Sequence, residues 1–167
     1  MTSPSPYDSS ATPAAKAAPI THFRNEHKFM SNFAVVPGGL AYDGMRGLTV
    51  EHVFQAAKTF NPDERARVLA APTALAAKQL GRTVSLRFDW ELVKVGVMAR
   101  LQSAKYSVPE LALQLLQTED AHLEEGNSWH DRFWGTCGCA KHRRDGAPTG
   151  ENWLGRILVI QRSVMRG

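Results

Sequence analysis

The chain has only two cysteines in 167 residues, Cys137 and Cys139. A single residue separates them, too few to close a stabilising loop, so they read as reduced thiols in a reducing compartment, the cytoplasm. No apolar run approaches the roughly 18 residues that a membrane-spanning helix needs. The N-terminus has neither the basic stretch nor the apolar stretch of a secretory signal. No segment repeats, which argues against a tandem-repeat architecture. Neither sign of charge dominates: 20 Lys and Arg against 16 Asp and Glu give a net charge of +4. That balance suits a phosphate-bearing partner without demanding one.

What is present reads as one globular domain. Hydrophobic residues make up 43% of the chain and charged residues 22%, enough to bury a core of its own. Residues 1–19 are rich in Ser, Pro and Ala, with little to bury, and read as a disordered leader. The domain is expected to span 20–167. Short strands are expected at Ile20–Arg24, Phe33–Val36 and Ala121–Glu124, with a break at Pro37-Gly38-Gly39 and a turn at Tyr42-Asp43-Gly44. Helices are expected from Val50 to about Phe60 with Thr49 as N-cap, at Asp63–Ala70, at Thr73–Leu80 closed by Gly81, from Asp89 to Lys105, at Glu110–Gln117 after Pro109, and at Trp153–Val164. Leu92, Val95 and Ala99 mark one side of the helix after Asp89, and Leu154, Ile157, Leu158 and Ile160 the inner side of the last. The fold class is α+β, a predominantly helical single domain with a small β-sheet.

Three stretches carry candidate chemistry. In Thr49–Lys58, Val50, Val53, Phe54 and Ala57 repeat at core spacing, whereas Glu51, Gln55 and Lys58 form a polar stripe within about 60° of arc. An acid, an amide and an amine then project together, and Glu51 lies in the first turn, where the helix dipole favours an anion. A solvated face is the plain alternative; Ser31, Asn32 and Phe33, like Trp134 and Gly135, sit in expected loops where binding residues concentrate, and argue for a site. In Asn127–Gly135, His130, Asp131 and two tryptophans lie close together. Trp134 is the candidate for stacking on a base or sugar, and Trp129 serves a loop anchor equally well. In Gly150–Arg156, Asn152 stands at a helix N-cap, where following backbone N–H groups can receive phosphate, and Gly155 in the first turn is costly unless something approaches closely. Trp90 either lines the pocket or belongs to the core. The basic run Lys141, His142, Arg143 and Arg144 reads as a solvated loop or as one that meets phosphate.

The sequence resembles the NADAR (YbiA-like) family over Phe23–Arg162. The likeness rests on Phe29-Met-Ser-Asn-Phe33, Thr49-x-Glu-His-x-x-Gln-x-x-Lys58, Gly81-Arg82, Asp89-Trp90, Val97-Met98, Lys105, Leu115-Leu116-x-Thr118, Trp134-Gly135 and Asn152-x-Leu-Gly155, in that order and spacing. It implies an N-glycosidase that hydrolyses a ribose C1–N bond. The substrate it implies is either an ADP-ribosylated base, notably ADP-ribosyl-guanine in nucleic acid, or a phosphorylated ribosylamine intermediate of riboflavin synthesis. It matches the family's catalytic acid and lysine to Glu51 and Lys58, and the acid before Trp-Gly to Asp131. Thr136 stands where relatives often carry Asp, and Cys137–Thr149 is longer and more basic than a minimal loop, which favours the larger, more anionic substrate.

Cleavage of that bond builds positive charge on the sugar and needs a proton for the leaving nitrogen, so Glu51 and Asp131 are expected to divide those roles. Lys58 offers a second route, attack on a ring-opened sugar to form a Schiff base. Ser31, Asn32, Gln55 and Asn152 are expected to bond ribose hydroxyls or phosphate, with Phe33, Trp90, Trp134, Gly135 and Gly155 completing the binding set. A Cys/His metal site at His130, Cys137, Cys139 and His142 is the obvious rival; C-x-C spacing suits zinc less well than C-x-x-C, so no metal and no cofactor are expected. A non-catalytic module that binds ADP-ribose or nucleic acid is the other rival, and it has no need of Glu51, Lys58 and Asp131 together.

Overall fold

The computed structural model describes residues 17–167. The leader expected at 1–19 therefore falls almost entirely outside the described residues; Ala17 packs against the core.

The order of elements begins with a 3₁₀ turn at Asn25–Met30, then β1 (Val35–Tyr42), β2 (Met45–Thr49) and α1 (Val50–Ala56). β1 and β2 pair antiparallel, Tyr42 opposite Met45. The two residues between them, Asp43 and Gly44, both have positive φ (49° and 73°), the mirror-image turn whose twist suits a tight hairpin. The strand expected at Phe33–Val36 is thus longer, and Pro37-Gly38-Gly39 does not break it. The ladder is irregular between Val35 and Leu40, and the extra residues bulge there. β2 was not expected, although Met45, Gly47 and Thr49 alternate inward with Arg46 and Leu48 outward.

Thr49 ends β2 and caps α1, its hydroxyl accepting from the His52 backbone N–H at 3.3 Å. All seven residues of α1 are buried, Glu51, His52 and Gln55 among them. Such a helix must satisfy its polar groups internally. His52 does so through Thr49 Oγ1 at 2.8 Å and the Ala71 carbonyl at 3.0 Å. The helix ends at Ala56, shorter than the expected reach to Phe60. The Thr59 hydroxyl donates to Glu64 Oε2 at 2.7 Å and accepts from Asn61 N at 3.1 Å, turning the chain into α2 (Pro62–Leu69).

α3 (Ala74–Leu80), α4 (Trp90–Lys105), α5 (Pro109–Leu116) and α6 (Trp153–Arg166) complete the helical set. On α4 the buried residues are Trp90, Val97, Met98, Leu101, Gln102 and Lys105; of the stripe expected through Leu92, Val95 and Ala99, the last two are half-buried against the core, whereas Leu92 is 88% exposed. Asp89 does not cap α4 with its side chain; its carboxylate is held by the Arg87 guanidinium at 2.6 and 2.8 Å. On α6, Leu154, Ile157 and Leu158 are buried as expected, and Ile160 points outward. Ile20–Arg24 and Ala121–Glu124 form no strands, only a single parallel bridge between Ile20 and Leu123. A second sheet is minimal: β3 (Gly126–Asn127) pairs parallel with β4 (Thr136–Cys137). Helices dominate and the β content is small, the α+β class read from the sequence.

Arg162 ties α6 to the end of α5. It is buried, and its guanidinium donates to Thr118 Oγ1 at 2.7 Å and to the Ala121 carbonyl at 3.0 Å. Arg162→Met keeps the stem and strands both acceptors. The expected outcome is a loss of about 2–3 kcal/mol in urea unfolding with the m-value unchanged; a loss within experimental error would contradict this role.

Candidate active site

The polar stripe of α1 faces a cavity of about 410 Å³, a size ordinary for a small-molecule site. Glu51, Gln55 and Lys58 all line it, together with Ser31, Asn32, Phe33, Trp90, Asp131 and Trp134. Glu51 is 5% exposed and accepts a bond from Gln55 Nε2 at 2.8 Å. Burial raises its carboxyl above the ordinary range, while Lys78, the Gln55 amide and Lys58 pull it back. Burial likewise lowers the Lys58 amine, which Glu51 partly counters and Lys78 and Arg82 reinforce. Lys58 follows α1 in a turn, and its Nζ reaches the Gly81 carbonyl at 3.5 Å. Gly81 itself has helical φ of −64°, so left-handed geometry does not explain the glycine. A Cβ there would lie 2.1 Å from Gln55 Oε1 and 2.6 Å from Gln55 Cβ. Gly81 is small because Gln55 needs the space.

The Ser31–Phe33 loop is pinned from α4. Lys105 is fully buried and donates to the Ser31 carbonyl at 2.9 Å; burial drops its amine to about 7. Gln102 Nε2 donates to Asn32 Oδ1 at 2.7 Å, and Asn32 Nδ2 donates to Met98 Sδ at 3.6 Å. The Asn32 carbonyl in turn accepts from the Glu51 backbone N–H at 3.0 Å, satisfying one of the unpaired donors at the start of α1. Lys105, Gln102, Met98 and the Ser31-Asn32 pair are therefore one assembly, reaching the cavity through Ser31, Asn32 and Met98.

A further carboxyl, not expected from the sequence, belongs to the site. Glu125 lines the cavity, and its Oε2 is buried without a hydrogen-bond partner. Burial and the Asp131 charge raise it to about 7, against the pull of Arg24, Lys78 and Lys105. Asp131 does reach the cavity, but its Oδ1 is committed to the backbone N–H groups of Phe133 and Trp134, at 3.1 and 2.9 Å.

Gly135, Asn152 and Gly155 do not line the cavity. Asn152 has φ of 53° and makes no side-chain cap. Its Nδ2 donates to the Leu123 carbonyl at 2.9 Å and its Oδ1 accepts from the Glu125 N–H at 3.1 Å. A Cβ at Gly155 would lie 2.2 Å from the Leu123 carbonyl, and one at Gly135 2.0 Å from the Glu125 carbonyl. All three residues hold the backbone that carries Glu125. The close approach inferred at Gly155 is real, and the partner is the protein's own chain.

Aromatic rings wall the cavity. Phe54 meets Trp90 at 5.0 Å and Trp134 at 5.3 Å between centroids, the latter edge to face. Trp90 is both core and lining. Arg24, Lys58, Lys78 and Lys94 supply positive charge around it. Of these, only Lys58 stood out in the sequence. Lys78 is an unremarkable charge on α3 until that helix packs on α1, and Arg24 and Lys94 carry no local signal.

The NADAR domain family model matches residues 17–166. The chain belongs to the NADAR family. It is 36% identical over 132 residues to the N-glycosidase YbiA of Escherichia coli, covering 77% of this chain and 76% of that one. It is 37% identical over 142 residues to an N-glycosidase of Nostoc punctiforme, covering 81% and 84%. A chloroplastic riboflavin biosynthesis protein of Zea mays is 37% identical over 132 residues, 71% of this chain and 20% of that longer one. The solution structure of Escherichia coli YbiA superposes with a TM-score of 0.75 at 29% identity, covering 91% of this chain and 87% of that chain. The NADAR fold thus brings most of the expected residues to one cavity and adds Glu125.

Because the Asp131 charge helps to raise Glu125, neutralising it lowers the Glu125 midpoint. Asp131→Asn keeps the Oδ1 acceptor for the two backbone N–H groups. Carboxyl-detected NMR is expected to show Glu125 titrating near 7 in the unchanged protein and at lower pH in the variant. An unchanged or higher midpoint would break the link between the two acids.

Proposed function

We propose that this NADAR protein is an N-glycosidase that hydrolyses a ribose C1–N bond, with Glu51 and Glu125 as its working carboxyls. The observation that carries the reading is a single cavity with two carboxyls in unlike surroundings: Glu51 buried, bonded by Gln55 and flanked by lysines, and Glu125 half-buried, its Oε2 unbonded, and raised to about 7. A carboxyl half protonated at neutral pH suits the acid that protonates the leaving nitrogen. Lys78, the Gln55 amide and Lys58 pull the Glu51 carboxyl back toward its anionic form, which suits the partner that faces positive charge growing on the sugar. Asp131 takes a positioning role, setting the Trp134 turn and raising Glu125. The names of the Escherichia coli and Nostoc punctiforme relatives support the reaction class.

The preferred substrate is ADP-ribose on a modified base, ADP-ribosyl-guanine in nucleic acid. Arg24, Lys78 and Lys94 at the cavity suit a pyrophosphate, and the basic segment at Lys141–Arg144 follows the cavity wall in the chain. Trp134 and Trp129 offer rings for the base. The maize relative's name supports the second reading, a phosphorylated ribosylamine of riboflavin synthesis. Lys58, its amine lowered by burial, is suited to a Schiff base with the opened sugar.

The test offers both substrates and follows release of free base or amine. The expected result is turnover of ADP-ribosyl-guanine DNA, with Glu51→Gln and Glu125→Gln each losing about 10²–10⁴-fold in kcat/KM. An acid works protonated, so kcat/KM should fall as pH rises through about 7, and Glu125→Gln should remove that limb. Borohydride added during turnover traps sugar on Lys58 if the Schiff base forms. Binding of ADP-ribose without release of either product would favour a non-catalytic module and overturn the proposal.

A further inference from the structure

Beyond the cavity wall, the segment 138–150 has no buried residue. It carries nevertheless a defined path: Cys137 pairs with Thr149, a 3₁₀ turn spans Ala140–His142, and Arg144 pairs with Ala147. Segments with so little core need another source of order, commonly a disulfide or a metal. A disulfide between Cys137 and Cys139 is not formed; both thiols are free.

The side chains at the base of this segment supply the other source. Cys139 Sγ lies 3.4 Å from His130 Nδ1 and 3.5 Å from His142 Nδ1, and the two Nδ1 atoms are 3.4 Å apart. Adding Cys137 Sγ, all four ligand atoms fall within 4.8 Å of one another. Around a tetrahedral zinc, with Zn–S of about 2.3 Å and Zn–N of about 2.0–2.1 Å, neighbouring ligand atoms stand roughly 3.3–3.8 Å apart. Three of the six edges of such a tetrahedron are thus already at length. The objection from sequence was that C-x-C is a poor zinc pair. It applies to two cysteines acting alone, and here the remaining corners come from histidines on either side, His130 before β4 and His142 after it.

We propose that His130, Cys137, Cys139 and His142 form a structural zinc site. Two thiolates and two neutral imidazoles make a mixed sulfur and nitrogen set that selects zinc over magnesium or calcium. Two thiol protons leave as the ion enters, so the two thiolates balance its charge. Four protein ligands complete the tetrahedron and leave no open position, which makes the site a staple and not a second reaction centre. The staple joins the 138–150 segment to His130, whose backbone is left-handed at φ of 71° and whose neighbours Trp129 and Asp131 line the cavity. Zinc therefore fixes the rim of the active site from behind. The site stands on its own ligands, whatever the substrate.

The full chain, purified without metal-affinity resin and dialysed against excess zinc and then buffer, is expected to hold one zinc per chain by elemental analysis. Cobalt in its place should give the intense visible bands of tetrahedral thiolate coordination. Zinc should protect both thiols from a disulfide reagent and the 138–150 segment from limited proteolysis, and chelation should expose both. Cys139→Ser and His142→Ala, at partly exposed positions, should fold and lose the tight zinc. Wild-type protein holding far less than one zinc, one zinc retained in both variants, or thiols equally reactive with and without zinc would each overturn the proposal. The metal content of the wild type decides this without any variant.

Discussion

The arrangement depends on a carboxylate carried on a helix with no exposed face. Every residue of α1 is buried, so Glu51 cannot be solvated by bulk water and must be supported from within the protein. Gln55 bonds it, Lys58 and Lys78 attract it, and the Asn32 carbonyl satisfies the backbone at its own N–H. Each support fixes something else. Gln55 requires Gly81 to lack a side chain, and Asn32 requires Gln102 and Met98 on α4. The site is held by the packing of α1, α3 and α4, and the cost of burying one acid accounts for much of what lies around it.

Glu125 depends on a different device. It lies just before β3, in chain without regular structure, and what fixes it is a clamp of backbone contacts. Asn152, in left-handed conformation, grips the Leu123 carbonyl and the Glu125 N–H, and Gly135 and Gly155 let neighbouring segments close on the same stretch. Burial raises both acids, but their surroundings differ: Glu51 is bonded by Gln55 and attracted by Lys78 and Lys58, whereas Glu125 has the like charge of Asp131 close by.

Much of this was legible in the sequence because it is local. The Glu51, Gln55 and Lys58 stripe follows from helical spacing, the Thr49 cap from residue type, and the turn at Asp43-Gly44 from its residues, though not the hairpin that it closes. The Asn152-x-x-Gly155 and Trp134-Gly135 pairs stood out as motifs, but their purpose did not. A motif that holds backbone looks, in one dimension, like a motif that holds ligand. Glu125 could not be read, since neither periodicity nor capping marks it and its character comes from Asp131 and from burial by distant segments. Lys105 is another such residue, a lysine in helical register that tertiary packing buries completely. The misread strands at Ile20–Arg24 and Ala121–Glu124 fail for the same reason: apolar residues there fill the core singly, bridged at one position. The exposed Leu92 on α4 shows the converse, an apolar stripe wider than the surface that covers it.

The central claim is that a ribose C1 sits between Glu51 and Glu125. A crystal structure of the protein with the product ADP-ribose tests it most directly. The account expects the sugar in the cavity, its C1 facing both carboxyls and its pyrophosphate toward Arg24, Lys78 or Lys94. Well-ordered ADP-ribose bound elsewhere, with its ribose away from both carboxyls, would contradict it.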